Sequence, residues 1–328
     1  MSDTLAPGYM YRPPTEDDIP GVLGVMNAFE TFFAGHADDY TPDDIRDDWS
    51  HLTLQTDAWV FFAPDGSMAG YGTETNRGYG LLQLDGYTHP EHRGKGVGST
   101  ILALAEARAA TQVELQPEGV RVVVYNSVLI EDTAAHALLE AKGYHLIRTH
   151  WRMSIEMDAP PPEPVWPTGI TVRTFIPEKD ERTTFDAVEE AFQDHWGHTP
   201  RKYDEWLAHT TRPGFDPSLW FLAFDGADIA GTSLCRMRPS GGWVGWLAVR
   251  RPWRRHGLGL ALLYQSFGEF YRRGVTSVDL GVDAQSLTGA TRLYERAGMH
   301  PTIRIATFVR ELRPGVDMSV QELAQPEA

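Results

Sequence analysis

Residues 89–102 read HPEHRGKGVGSTIL, and residues 251–263 read RPWRRHGLGLALL. Each places an arginine three residues before a Gly-x-Gly step: Arg93, Gly96 and Gly98 in the first, Arg254, Gly257 and Gly259 in the second. A strand-like run precedes each stretch and an amphipathic run follows it, so both read as strand, turn, helix. Glycines at such a turn let the backbone approach a ligand closely, and the first amides of the helix have no intrahelical acceptor. Those amides, with the helix dipole, form an anion site, and neighbouring arginines add charge-assisted contacts. A plain turn with solvated arginines would look the same once. Its appearance twice favours the anion site.

Working outward, the two stretches are landmarks of an internal repeat. Gly96 maps onto Gly257, 161 positions on. RPPTEDDIPGVLGVMNAF from Arg12 echoes RTFIPEKDERTTFDAVEEAF from Arg173, and YTPDDIRDDW ending at Trp49 echoes HTPRKYDEW ending at Trp206. Asp65-Gly66 matches Asp225-Gly226, and AAHALLEAKGY matches ATRLYERAGM. The order is preserved, and a period of this length is that of a duplicated domain rather than a solenoid. Between the copies lies MDAPPPEPVWPTG, residues 157–169, a stiff proline-rich run. The expected organisation is residues 1–157 as a first domain, 158–168 as linker and 169–328 as a second domain. Two separately folded copies are expected, so a chain starting near Val165 should fold.

Each copy reads as an opening strand, a helix with apolar residues at Val22, Val25, Met26 and Phe29 in the first, and strands that turn at Asp-Gly. A third strand leads into the glycine step and a long helix. A buried strand, a helix ended by Gly143 or Gly298, and a last pair of strands close the copy. The fold class is α/β, with a mixed, mostly antiparallel sheet flanked by helices in each copy.

The formal net charge of -16 argues against general nucleic-acid binding, which needs a cationic footprint. No apolar run reaches the ~18 residues of a membrane span, and MSDTLAPGYMYRPPTEDD lacks the features of a signal peptide. Cys235 is the only cysteine, which excludes an intramolecular disulfide. A cytoplasmic protein with no membrane partner is expected. Cys235 sits in a strand pattern and reads as core. His89 and His92 lack a third ligand, so no metal is expected. Asp38, Asp39, Asp43, Asp44, Asp47 and Asp48 read as a solvated helix start capped by Thr41 or Asp39. Trp196, Trp206, Trp220 and Trp246 read as packing residues. Trp243 is the one with a prospect of substrate contact.

Neither turn closes with the Gly-Lys-Ser/Thr of a P-loop, and neither carries the third small residue of a Rossmann fingerprint. Both match the Arg/Gln-x-x-Gly-x-Gly/Ala signature of the GNAT acyltransferase superfamily, and the chain resembles that family over nearly its whole length, twice over. The tandem arrangement is most similar to the mycothiol-synthase-like branch. The resemblance implies a fold of two tandem GNAT-like domains and acetyl-CoA as co-substrate. It implies a pyrophosphate site built from Arg254, Arg255, His256, Gly257, Leu258 and Gly259, with Leu247 and Val249 on the strand that pantetheine follows. In the first copy the matching residues are Arg93, Gly94, Gly96 and Gly98. Both turns are expected to bind CoA, the second more tightly. Tyr294 in RLYERAG stands where the family places the acid that protonates the departing thiolate. Leu139 stands opposite it in the first copy, so catalysis is expected in the second. Relatives often carry a glutamate on the strand before the turn. GGWVGWLAV has none, which leaves water, Asp279 or Asp283 as the base, whereas the first copy has Asp85 on the equivalent strand.

The expected function is acetyl-CoA-dependent transfer to a primary amine of a small molecule or peptide. The alternative is a non-catalytic acyl-CoA-binding sensor built from two degenerate copies. The acceptor and the oligomeric state stay open.

Overall fold

The structure, a computed structural model, describes residues 4–318 except 36, 38, 39, 212 and 213. The chain divides into two compact units. One runs to Thr149 and adds Arg304–Met318, and the other spans His150–Ile303.

The first unit begins with β1 (Met10–Arg12), α1 (Ile19–Ala34), α2 (Pro42–Ser50) and the short α3 (Leu54–Asp57). It continues with β2 (Ala58–Phe62), β3 (Met68–Asn76), β4 (Leu81–Thr88), α4 (Val97–Gln112), β5 (Val122–Leu129) and α5 (Thr133–Ala141), and β6 (His145–Glu156) follows. α1 buries Ile19, Val22, Val25 and Met26, a stripe at helical spacing. Thr41 caps α2 by accepting from the Asp44 amide, while Asp44 accepts from the Thr41 amide in return. The other expected cap, Asp39, lies with Asp38 outside the described residues.

The second unit holds β7 (Ile170–Thr174), α6 (Glu181–Phe192), α7 (Tyr203–Thr210), β8 (Trp220–Asp225) and β9 (Asp228–Arg238). Then come β10 (Gly241–Val249), α8 (Leu258–Arg272), β11 (Ser277–Asp283), α9 (Ala290–Arg296) and β12 (His300–Arg313). The repeat is visible atom by atom at the start of each copy. Arg12 forks onto Asp18 at 2.7 and 2.8 Å, and Arg173 forks onto Asp180 at 2.6 and 2.8 Å. Both carboxyls are held below their ordinary pKa, first of all by those arginines.

The first unit's strands run in the order β1-β2-β3-β4-β5-β12, antiparallel except for β4 with β5. In the second the order is β7-β8-β9-β10-β11-β6, antiparallel except for β10 with β11. The last strand of each copy thus completes the sheet of the other unit. The proline run is not where the compact units part, because β6, upstream of it, pairs with β11 along seven rungs from Ser277↔Glu156 to Asp283↔His150. Met153 on β6 is fully buried beside Phe267, Val278 and Leu280.

A chain starting at Val165 therefore lacks the strand that covers β11. It loses seven rungs and the burial of Met153, the latter roughly 1.5–3 kcal/mol. Such a chain should be insoluble or molten, and starting at Gly143 should restore a cooperative thermal transition. Equal melting temperatures for the two would contradict the strand exchange.

Candidate functional site

In the first unit the glycine step shapes the start of α4. Gly94 and Gly96 take positive φ, 75° and 79°, and Gly96 is the N-cap residue with no side-chain cap. A Cβ on Gly96 would lie 2.2 Å from the Thr4 carbonyl oxygen, so only glycine fits there. The first intrahelical bond runs from the Thr100 amide to the Gly96 carbonyl. Amides before it are the anion-binding end of the helix.

β4 and β5 pair in parallel from Leu81↔Val123 to Leu84↔Asn126 and then part. A cavity of about 160 Å³ opens beyond that rung. Its walls include Asp85, Gly86 and Thr88 from β4, Asn126, Ser127 and Val128 from β5, the glycine step, and Leu139 from α5. Gln83 donates to both oxygens of Asp85 at 2.8 and 3.0 Å, and the Gln83 oxygen accepts from Arg77 Nε at 2.8 Å. Burial pushes the Asp85 carboxyl up, against the opposing pull of Gln83 and Arg77. A raised carboxylate is a stronger base at neutral pH.

Arg93 lines the same cavity. One edge of its guanidinium donates to Asp132 at 3.0 Å, and its plane lies over Phe33 at 4.8 Å. Asp132 in turn caps α5 by accepting from the Ala135 amide. His92 is engaged by the Tyr9 hydroxyl at 3.0 Å and by Ser67 at 3.3 Å.

In the second unit Arg250, Arg251 and Arg254, before the glycine step, are held by the unit's own carboxylates and carbonyls. Arg254 donates to the Val249 carbonyl at 2.9 Å, to Asp194 at 2.5 Å and to the Ala191 carbonyl at 3.0 Å. Arg251 forks onto the same Asp194 at 2.6 and 2.9 Å, and Arg250 reaches Glu190 at 2.6 Å. These cations pin the end of α6 to the turn. Arg255, at φ 65°, and His256 are exposed, Gly257 is the N-cap of α8 with φ 85°, Leu258 is buried, and Gly259 packs towards Leu293. Leu247 and Val249 are half-buried on β10. β10 pairs with β11 over two rungs, ending at Trp243↔Asp279, and carries a bulge at Gly245. Trp243 lies 3.7 Å beneath the Arg238 guanidinium. Trp206 and Trp220 are core residues, and Cys235 is buried with its thiol pushed up to about 11.

Tyr294 on α9 is 8% exposed in the second unit's core, and burial pushes its phenol up to about 12. A weaker acid is a poorer proton donor. Leu139 is buried but reaches the first unit's cavity. The structure thus gathers Gly94, Gly96, Gly98, Arg93, Asp85 and Leu139 around one cavity, and commits the side chain of Arg254 to its own unit. Sequence reasoning missed Asn126, Asp132 and Asp194. Asp132 carried a signal, an aspartate just before a helix, whereas Asp194 lies 57 to 60 positions from the arginines it holds.

Arg251 and Arg254 are the leading reason that Asp194 is held down, at about 2. A depressed carboxyl stabilises the fold above its ordinary pKa, and that contribution is lost as pH falls from about 4 towards 2. Asp194→Asn should cost roughly 2 kcal/mol at neutral pH and flatten the loss of stability over that acid window, read by thermal melts across pH. An unchanged acid limb would contradict the ion-pair assignment.

Residues 23–144 and 182–299 match the family model described as the Acetyltransferase (GNAT) family. A mycothiol acetyltransferase of Thermobispora bispora is 30% identical over 217 residues, 64% of this chain and 70% of the relative. Another, from Salinispora arenicola, is 29% identical over 302 residues, 86% of this chain and 90% of the relative. The crystal structure of a GCN5-related N-acetyltransferase from Sphaerobacter thermophilus superposes with a TM-score of 0.84 at 41% identity, covering 96% of this chain and 99% of that one. A tandem GNAT protein from the clavulanic acid biosynthesis pathway shares the fold at a TM-score of 0.70 and 17% identity, covering 94% of this chain and 100% of that one. Among the described residues no helix is long and apolar enough to cross a membrane.

Proposed function

The chain belongs to the Acetyltransferase (GNAT) family, and on that premise we propose that it transfers an acetyl group from acetyl-CoA to a primary amine at a centre in its first unit. It is an N-acetyltransferase, so the reading as a non-catalytic sensor falls away. The observation that carries the location is the cavity between β4 and β5, where the glycine step, a parted strand pair and a buried base come together.

Acetyl-CoA is a substrate here. Its pyrophosphate meets the amides at the start of α4, and its pantetheine arm follows the edge of β4 past Leu84. Asp85 takes the proton of the amine as nitrogen attacks the thioester carbon. The mycothiol named for the relatives makes a small molecule the proposed acceptor class, in preference to a peptide. The expectation of catalysis in the second copy rests on Tyr294, and it is kept as the rival reading. Gly257 and Gly259 in the rival are proposed to shape a turn that no longer serves turnover.

Hydrogen exchange tests the location. Saturating acetyl-CoA should slow the amides of Gly98, Ser99 and Asp85–Thr88 and leave Leu258 and Gly259 unchanged. Protection confined to the second turn would overturn the proposal.

A further inference from the structure

The exchange of tyrosine for leucine between the copies is accompanied by a second difference nearby. Leu81↔Val123 in the first sheet and Gly242↔Val278 in the second are equivalent rungs of the parallel strand pair. Stepping three residues along each second strand places Asn126 opposite Gly281. Gly143 and Gly298, the glycines that follow α5 and α9, place Leu139 opposite Tyr294. Where the second copy has glycine with tyrosine, the first has asparagine with leucine.

Asn126 and Leu139 both line the first unit's cavity. Asn126 occupies the last rung before β4 and β5 part, one residue from the rung of Asp85. On β5 it shares a face with Val122 and Val124, which pack in one core with Leu139. It is 8% exposed, and its amide nitrogen is buried with no hydrogen-bond acceptor among the described residues. A buried amide without a partner is costly, and native proteins keep few of them. A half-turn of the side-chain amide exchanges its nitrogen and oxygen, so either end can serve the cavity.

We propose that Asn126 is the hydrogen-bond donor to the sulfur of the departing CoA, filling in the first unit the place that Tyr294 holds in the second. The inference rests on the first-unit centre proposed above. Nitrogen bonds to the thioester carbon, and the amine proton passes to Asp85. The carbon–sulfur bond breaks with its electron pair left on sulfur. An amide has no proton to give up, so CoA departs as a thiolate that accepts a hydrogen bond from Asn126 Nδ2. The proton on Asp85 then returns to water. A thiol titrates near ~8.5, so a thiolate held by one donor is a competent leaving group near neutral pH. Removing such a donor aimed at developing charge typically costs about 10²-fold in kcat.

The test transplants the second copy's pair into the first. Asn126→Gly should lower kcat at least tenfold, with acetyl-CoA affinity within about threefold of wild type by calorimetry. Adding Leu139→Tyr should recover most of that loss and add a fall in rate at high pH, above the ~10 of a free phenol, as the buried phenol ionises. A role in packing alone would produce no such limb. Asn126→Ala gives the same readout if glycine loosens β5, and each variant is checked by thermal melt. If Asn126→Gly and Asn126→Ala turn over like wild type while Asp85→Asn is silent, Asn126 is not the donor and the first-unit centre stands. If none of these changes alters the rate, the first-unit centre itself fails.

Discussion

Replacing Asp85 by asparagine should lower kcat/KM at least a hundredfold while leaving the melting temperature unchanged or slightly raised. The activity loss follows from the role of the carboxylate. General-base catalysis by a positioned side chain contributes typically ~10²–10⁴-fold, and an amide cannot take the amine proton. The stability result follows from the raised pKa of Asp85. Burial disfavours its charged form, so above the ordinary carboxylate range the folded state carries an unfavourable charge that asparagine removes. Gln83 can still donate to the carbonyl oxygen of the substituted side chain. The pH profile carries the same sign. Activity should fall with acid as the carboxylate protonates, with a midpoint above the ~3.9 of an ordinary aspartate. A variant that lost stability along with activity would point to a structural role for Asp85.

Gly98→Glu should abolish acetyl-CoA binding without harming the fold. The Cβ of residue 98 would meet Thr88 Oγ1 at 3.4 Å, an ordinary contact. A carboxylate in the first turn of α4 suits the helix dipole, so stability should hold. In the proposed binding mode the same carboxylate would face the pyrophosphate. Two like charges 4 Å apart repel by about 4 kcal/mol at the effective dielectric of a protein surface, so affinity should fall by a hundredfold or more. Gly257→Glu in the second copy has open space around its Cβ and a positive φ. It should cost some stability and leave turnover intact, the reverse of the outcome at Gly98. Titration calorimetry and steady-state kinetics on both variants separate the two turns.

Much of the fold was legible because it is written twice. The turn at Asp65-Gly66 and its partner at Asp225-Gly226, the glycine steps, and the arginines at 12 and 173 fix the order of elements in both copies. The exchange of final strands was not legible. β6 and β12 both read as half-buried strands, and alternation along a strand says which face is inward, not which sheet edge receives it. The proline run then suggested a boundary that the strand pairing does not respect. At the site, the glycines and Asp85 were visible as residue types at known places. Whether an arginine is free for a ligand depends on partners distant in sequence, as Arg254 and Asp194 demonstrate. Asn126 could not be singled out until the register of β4 and β5 placed it in the cavity wall at their last rung.

Turnover of Tyr294→Phe beside Asp85→Asn, at saturating acetyl-CoA with an amine acceptor that the wild-type enzyme uses, distinguishes a centre in the first unit from one in the second. A first-unit centre gives kcat within about twofold of wild type for Tyr294→Phe and a loss of about a hundredfold or more for Asp85→Asn. A silent Tyr294→Phe beside an active Asp85→Asn would contradict it and return the active site to the second copy.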